Sequence, residues 1–208
     1  MVEVLVVLGV VMLLAALLLP ALRNTKKAAA ETGSLAKMRD NAQLVHAYAG
    51  QYDGYSPIYV KRAWANGQFW AGALLNAGMV GSSEETSVKW FDDDPPLIVY
   101  MTAVLSMSPS TLREGSTPPI NDQVFVPMRL SDIASPSAKG LLYVTGGSRN
   151  LGNPWCCGEP YPCPVAFGDA SVGVYTWADL TPGGVLRVQD NVGFPVYSTW
   201  NGVLGRDR

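Results

Sequence analysis

Residues 2–23, VEVLVVLGVVMLLAALLLPALR, decide the fold. From Val4 to Leu22 there are 19 residues without a charge. A helix rising 1.5 Å per residue needs about 20 apolar residues to cross the roughly 30 Å hydrocarbon core of a bilayer, so this run reads as a membrane span. A secretory signal would have a shorter apolar core, about 7 to 15 residues, followed by an A-x-A-like site; neither feature fits. Glu3 stands at the lip of the run. A carboxylate buried in hydrocarbon costs roughly 3 kcal/mol, so Glu3 needs a partner, or a place at the headgroups as an ordinary N-terminal acid favoured by the helix dipole. Arg23, Lys26, Lys27, Lys37 and Arg39 follow the span. By charge bias alone this flank would stay on the cytoplasmic side.

After Leu22 the pattern becomes amphipathic. Leu35, Met38, Ala42, Val45, Ala49 and Tyr52 recur at spacings of three and four, one narrow apolar stripe on a helix, while Lys37, Arg39, Asp40, Asn41 and Gln43 fill the opposite face. Asp53-Gly54 followed by Pro57 is a strong stop. The reading is therefore a helix of some 50 residues, about 75 Å long at 1.5 Å per residue, which a domain of this size cannot enclose. Pro20 lacks an N–H and crowds the preceding turn, so the rod is expected to kink or unwind there.

Beyond residue 57 the signals are short. QFWAGALLNAGMV (68–80) reads as a brief helix ended by Gly81. PLIVYMTAVLSM (96–107), QVFVPMRL (123–130), GLLYVTGG (140–147), PVAFGDASVGVYTW (164–177) and VGFPVYSTW (192–200) read as strands bounded by turn residues. GDAS between VAF and VGVYTW reads as a hairpin, although Asp-Ala turns less willingly than Asp-Gly. The expected fold class is α+β, a long N-terminal helix packed on a mostly antiparallel sheet. The division is 1–54 for the helix, with 1–22 apolar, and 55–208 for a β-rich head. A formal charge of -2 over 208 residues gives no electrostatic footprint for nucleic acid.

Candidate sites are few. Asp92, Asp93 and Asp94 lie together in FDDDPP and offer clustered oxygens of the kind calcium takes, though the spacing matches no EF-hand; a solvated acidic loop is the plainer reading. Cys156, Cys157 and Cys163 share the loop NPWCCGEPYPC and are disulfide candidates if the head lies outside the cytoplasm. With His46 they form no known zinc-finger spacing. There is no G-x-S-x-G, H-E-x-x-H or glycine loop leading into a helix, so no enzymatic activity and no resident cofactor are expected.

VEVLVVLGVVMLLAALLLPALRNTKKAA resembles the N-terminal segment of type IV pilins and of the related pseudopilins of type II secretion systems. Glu3 matches the glutamate near the start of the family's apolar helix, and Pro20 the helix-breaking proline 17 positions later; Met1 stands where the family has its third residue. HAYAGQYDGYSP (46–57) is similar to the segment that closes the long helix in many prepilin-type proteins. LSDIASPSAKGLLYVTGG and VAFGDASVGVYTW resemble the late strands of a subgroup marked by a histidine and a distant Asp-Gly. This chain has Ala170 after Asp169 and no histidine except His46.

The resemblance implies a pilin-like fold, a methylated N-terminus and a chain held in the inner membrane with its head outside the cytoplasm. An assembly machinery would then extrude it as a homopolymer, a structural filament or fimbrium at the cell surface. Within that family Glu3 would neutralise the N-terminal amine of an adjacent subunit, and Pro20 would let the helix lengthen as heads pack around a helical core. A secretion pseudopilin and a non-polymerising, membrane-anchored binding module remain the alternatives.

Overall fold

The computed structural model describes residues 2–58, 69–88, 99–102, 105, 126–144, 162–181 and 204–208. Helix α1, Val2–Gln51, runs for 50 residues with Pro20 inside it. The expected unwinding at Pro20 is absent: the helix continues through that position. Proline's missing N–H costs one bond to the carbonyl of Ala16, and the flanking leucines and alanines are strong enough helix formers to carry the rod past that gap.

The rod ends where the sequence marks a stop. Asp53 and Gly54 take positive φ angles of 51° and 84°. The Gly54 N–H reaches back to the Ala49 carbonyl at 2.8 Å, the six-to-one bond of a Schellman-type cap. The chain then pairs at once with a distant segment. Tyr55 bridges Arg129 antiparallel, the Ser56 N–H donates to the Met128 carbonyl at 3.0 Å, and the Leu130 N–H donates to the Gly54 carbonyl at 2.9 Å.

Helix α2, Phe69–Asn76, falls where the second helix is expected but stops earlier than Gly81. Gly78, at φ 69°, terminates it, with the Met79 N–H bonded to the Leu74 carbonyl at 2.9 Å and the Gly78 N–H to the Leu75 carbonyl at 3.0 Å. Four strands follow: β1 Val99–Met101, β2 Gly140–Val144, β3 Cys163–Phe167 and β4 Val172–Tyr175. They form one sheet in the order β1-β2-β3-β4 with every neighbouring pair antiparallel, so the α+β expectation holds at that level. In the described part of the 123–130 run, residues 126–128 carry no strand and Arg129 makes an isolated bridge; residues 123–125 lie outside the described residues. The 192–200 run lies outside the described residues.

The helix and sheet meet through the stripe. Met38, Ala42 and Val45 are fully buried and share a core with Trp70, Leu74, Val99, Leu142, Val144 and Ala166. The other sheet face carries a smaller cluster of Tyr143, Val165, Phe167 and Leu180, with Tyr175 packed against it. The Trp70 indole donates to the Val99 carbonyl at 3.0 Å, which ties α2 to the edge strand without leaving the indole N–H unpaired. Two stripe assignments change. Asn41, expected on the polar face, is fully buried, because its amide donates to the Thr86 carbonyl at 2.8 Å. Tyr52, expected on the stripe, is 42% exposed and stacks on Tyr48 one turn earlier, ring centroids 4.2 Å apart. From about residue 30 onward α1 is docked on the sheet and contributes to the core of the head.

Candidate membrane and assembly surface

Among the described residues nothing packs against the first part of α1. Fifteen large apolar side chains between Val2 and Leu22 stand exposed, from 49% at Leu8 to 73% at Val2. At about 1 kcal/mol or more for the remaining area of each, leaving them in water forgoes on the order of 15 kcal/mol. That is as large as the whole stability of an ordinary domain, so water is not where this segment rests. The helix is long and apolar enough to cross a membrane, and none of its most apolar 18-residue window is buried against the rest of the chain. A membrane anchor and a signal sequence both meet that description.

Glu3 lies in the first turn of α1 and is exposed, at the end where the helix dipole favours a negative charge. Among the described residues no cation pairs with it. Pro20 is exposed within the continuous span. Among the described residues, neither meets the other or any part of the head.

The remaining candidates divide by position. Asp92, Asp93, Asp94, Cys156 and Cys157 lie outside the described residues, whereas Cys163 is buried at the start of β3. Among the described residues no group of three or more His, Cys, Asp or Glu side chains is placed to hold a metal.

An unanticipated feature anchors the head. Lys139 and Asp207 form a buried ion pair at 3.0 Å, and the same Asp207 oxygen accepts the Gly140 N–H at 2.8 Å. Burial pushes the Lys139 ammonium below its ordinary value, and Asp207 pulls it back up. Around the pair the Asp207 N–H donates to the Ala138 carbonyl and the Thr181 N–H to the Asp207 carbonyl, both at 2.8 Å. Arg208 continues the fastening. Its guanidinium lies 4.1 Å from the centre of the Phe167 ring, donates from Nε to the Ser137 carbonyl at 2.8 Å and donates from Nη1 to the Tyr175 hydroxyl. Sequence reasoning missed this set. Arg-Asp-Arg after a glycine reads as a solvated tail, and no local pattern marks Asp207 as the partner of a lysine far upstream.

The β3–β4 hairpin turns at Asp169-Ala170 without a glycine. Ala170 holds φ 61° and closes the turn by donating its N–H to the Phe167 carbonyl at 2.9 Å, while Asp169 Oδ1 accepts the Ser171 N–H at 2.9 Å. A left-handed conformation costs an L-residue other than glycine about 1–2 kcal/mol, so the hairpin forms against local strain.

The chain matches no family model, no curated protein and no solved structure.

Proposed function

We propose that this protein is a structural subunit that self-assembles through its apolar N-terminal helix into a type IV pilus-like surface filament. One observation carries the reading: a helical stalk with its apolar surface wholly exposed continues without a break into a helix docked on a β-sheet head. Such a stalk has two places to shed water, lipid and a bundle of its own kind. Held in the inner membrane first and transferred to a bundle later, it keeps its apolar side chains dry throughout. Burying even half of the span among neighbours supplies several kcal/mol per subunit at about 25 cal/mol per Å2.

In this reading Glu3 pairs with the N-terminal amine of an adjacent copy. Shielding the two charges together removes most of the penalty that either carries alone. Pro20 marks the place where a bundled stalk lengthens, since its turn already lacks one hydrogen bond. The polar face of α1 and the head form the outer shell, reached through the assembly machinery of a pilus or of a type II secretion pseudopilus.

The deciding experiment is electron microscopy of the purified chain after slow detergent removal, together with supernatants of expressing cells. Long filaments with heads at a regular spacing support the pilus reading. Short cell-bound fibres point to the pseudopilus. Particles that remain single, with the stalk in residual lipid, leave a membrane-anchored binding module and end the polymer reading.

A further inference from the structure

Between the span and the head lies a short stretch of α1 that neither the sheet nor the hydrophobic run accounts for. Residues 23–29 are all exposed, and burial by the head begins only at Ala30, Glu31 and Ser34. At 1.5 Å per residue this neck is about 10 Å long. The bilayer's two headgroup layers together add about 10–15 Å to its hydrocarbon core, so with residues 2–22 filling that core the neck passes through one headgroup layer.

The neck carries Arg23, Lys26 and Lys27. At 3.6 residues per turn, positions i, i+3 and i+4 fall within an arc of about 100°, so the three cations share one side of the helix. The acid beside Lys27 holds it only weakly. Lys27 Nζ lies 3.9 Å from Glu31 Oε1, with the two side chains 75% and 45% exposed, and such a surface pair holds its members loosely. Long cationic side chains leaving an apolar helix end extend toward phosphate while their stems stay on the hydrocarbon surface.

We propose that Arg23, Lys26 and Lys27 form a binding collar for anionic phospholipid headgroups, which sets the depth of the stalk while the chain resides in the membrane. The inference rests on the membrane half of the reading above and not on polymerisation. Phosphodiester oxygens supply the complementary charge at the height where the three cations stand, and a zwitterionic headgroup offers no net charge to that arc.

The test incorporates the full chain into nanodiscs of equal phosphatidylglycerol and phosphatidylcholine, then uses native mass spectrometry to count the lipids still bound on release. The wild-type chain is expected to retain phosphatidylglycerol several-fold over its bulk share. The triple variant Arg23→Gln, Lys26→Gln, Lys27→Gln is expected to insert equally but retain lipid at the bulk ratio, while Lys37→Gln with Arg39→Gln, on the head-docked part of α1, behaves as wild type. No enrichment in wild type, or undiminished enrichment in the triple variant, overturns the collar. A chain that fails to enter the discs overturns the collar together with the membrane reading. Enrichment in a chain that never forms filaments supports the collar and removes only the polymer reading.

Discussion

Lys139 Nζ lies 3.0 Å from Asp207 Oδ2 with both side chains shut off from solvent, so one ion pair fastens residues 204–208 to the start of β2. Taking one partner away leaves the other charged in a dry site, at a cost of about 3–5 kcal/mol, whereas replacing both with apolar residues of similar volume is often close to neutral. Lys139→Met is therefore expected to lower the urea midpoint of the detergent-solubilised chain steeply, and Lys139→Met with Asp207→Leu to recover part of the loss, the Gly140 N–H being left without its acceptor. Equal damage in the single and double variants would show that the pair matters through packing alone.

Ala170 is the second lever on stability. Its φ of 61° suits glycine, and no other described non-glycine residue except Asp53 has a positive φ. Ala170→Gly is expected to stabilise the head by about 1 kcal/mol, the relieved strain outweighing the greater freedom of glycine in the unfolded chain. Thermal melts followed by near-ultraviolet circular dichroism measure it, and an unchanged or lower midpoint counts against strain at the hairpin.

Acid should loosen the turn after β4. Asp179 Oδ2 accepts the Thr176 N–H at 2.8 Å and the Thr176 hydroxyl at 2.7 Å, and these two bonds hold its carboxyl below the ordinary value of 3.8. The folded chain then binds fewer protons at this group than the unfolded chain does. Its stabilisation is complete above the unfolded value and disappears as the pH falls through the lowered folded value. Melting temperatures recorded from pH 7 to pH 2 should fall at the acid end, and Asp179→Asn should flatten that limb. A parallel decline in both proteins assigns the acid sensitivity elsewhere.

Glu3→Gln tests assembly without touching the fold, because Glu3 is exposed at the far end of the stalk from the head. The variant is expected to enter membranes and melt like wild type, while filament yield by electron microscopy drops at least tenfold, the effect of about 1.4 kcal/mol per contact. Normal filament numbers would remove the carboxylate–amine pairing.

Much of the architecture was legible before any coordinates because its signals are local and redundant. The span needs only a charge-free run of sufficient length. The Met38, Ala42, Val45 stripe repeats often enough to fix which side of α1 meets the sheet, and Asp53-Gly54 supplies the left-handed residues that a helix cap requires. Periodicity puts Asn41 on the polar face because the carbonyl that accepts its amide N–H belongs to Thr86, 45 positions away, and a distant acceptor leaves no local signal. The Lys139–Asp207 fastening was hidden for the same reason. The local cost of Pro20 points to a break, yet one lost bond in a rod of 50 residues is outvoted by the bonds on either side. Of the candidate site, Glu3 and Pro20 both lie exposed on the first part of α1, and the tasks proposed for them act between copies.

The unbroken course of α1 has one more consequence. With residues from about 30 onward locked into the head, stalk and head turn as one body, like a key with its bow. In the proposed bundle, a copy that shifts by one residue and keeps equivalent packing contacts moves 1.5 Å and must turn its head about 100°, which takes the head off its neighbours. Slips near one full turn, about 5.4 Å, bring the same side back round. If copies bundle as proposed, a stalk still unbroken at Pro20 would act as a gear with coarse teeth, allowing adjacent copies few axial offsets.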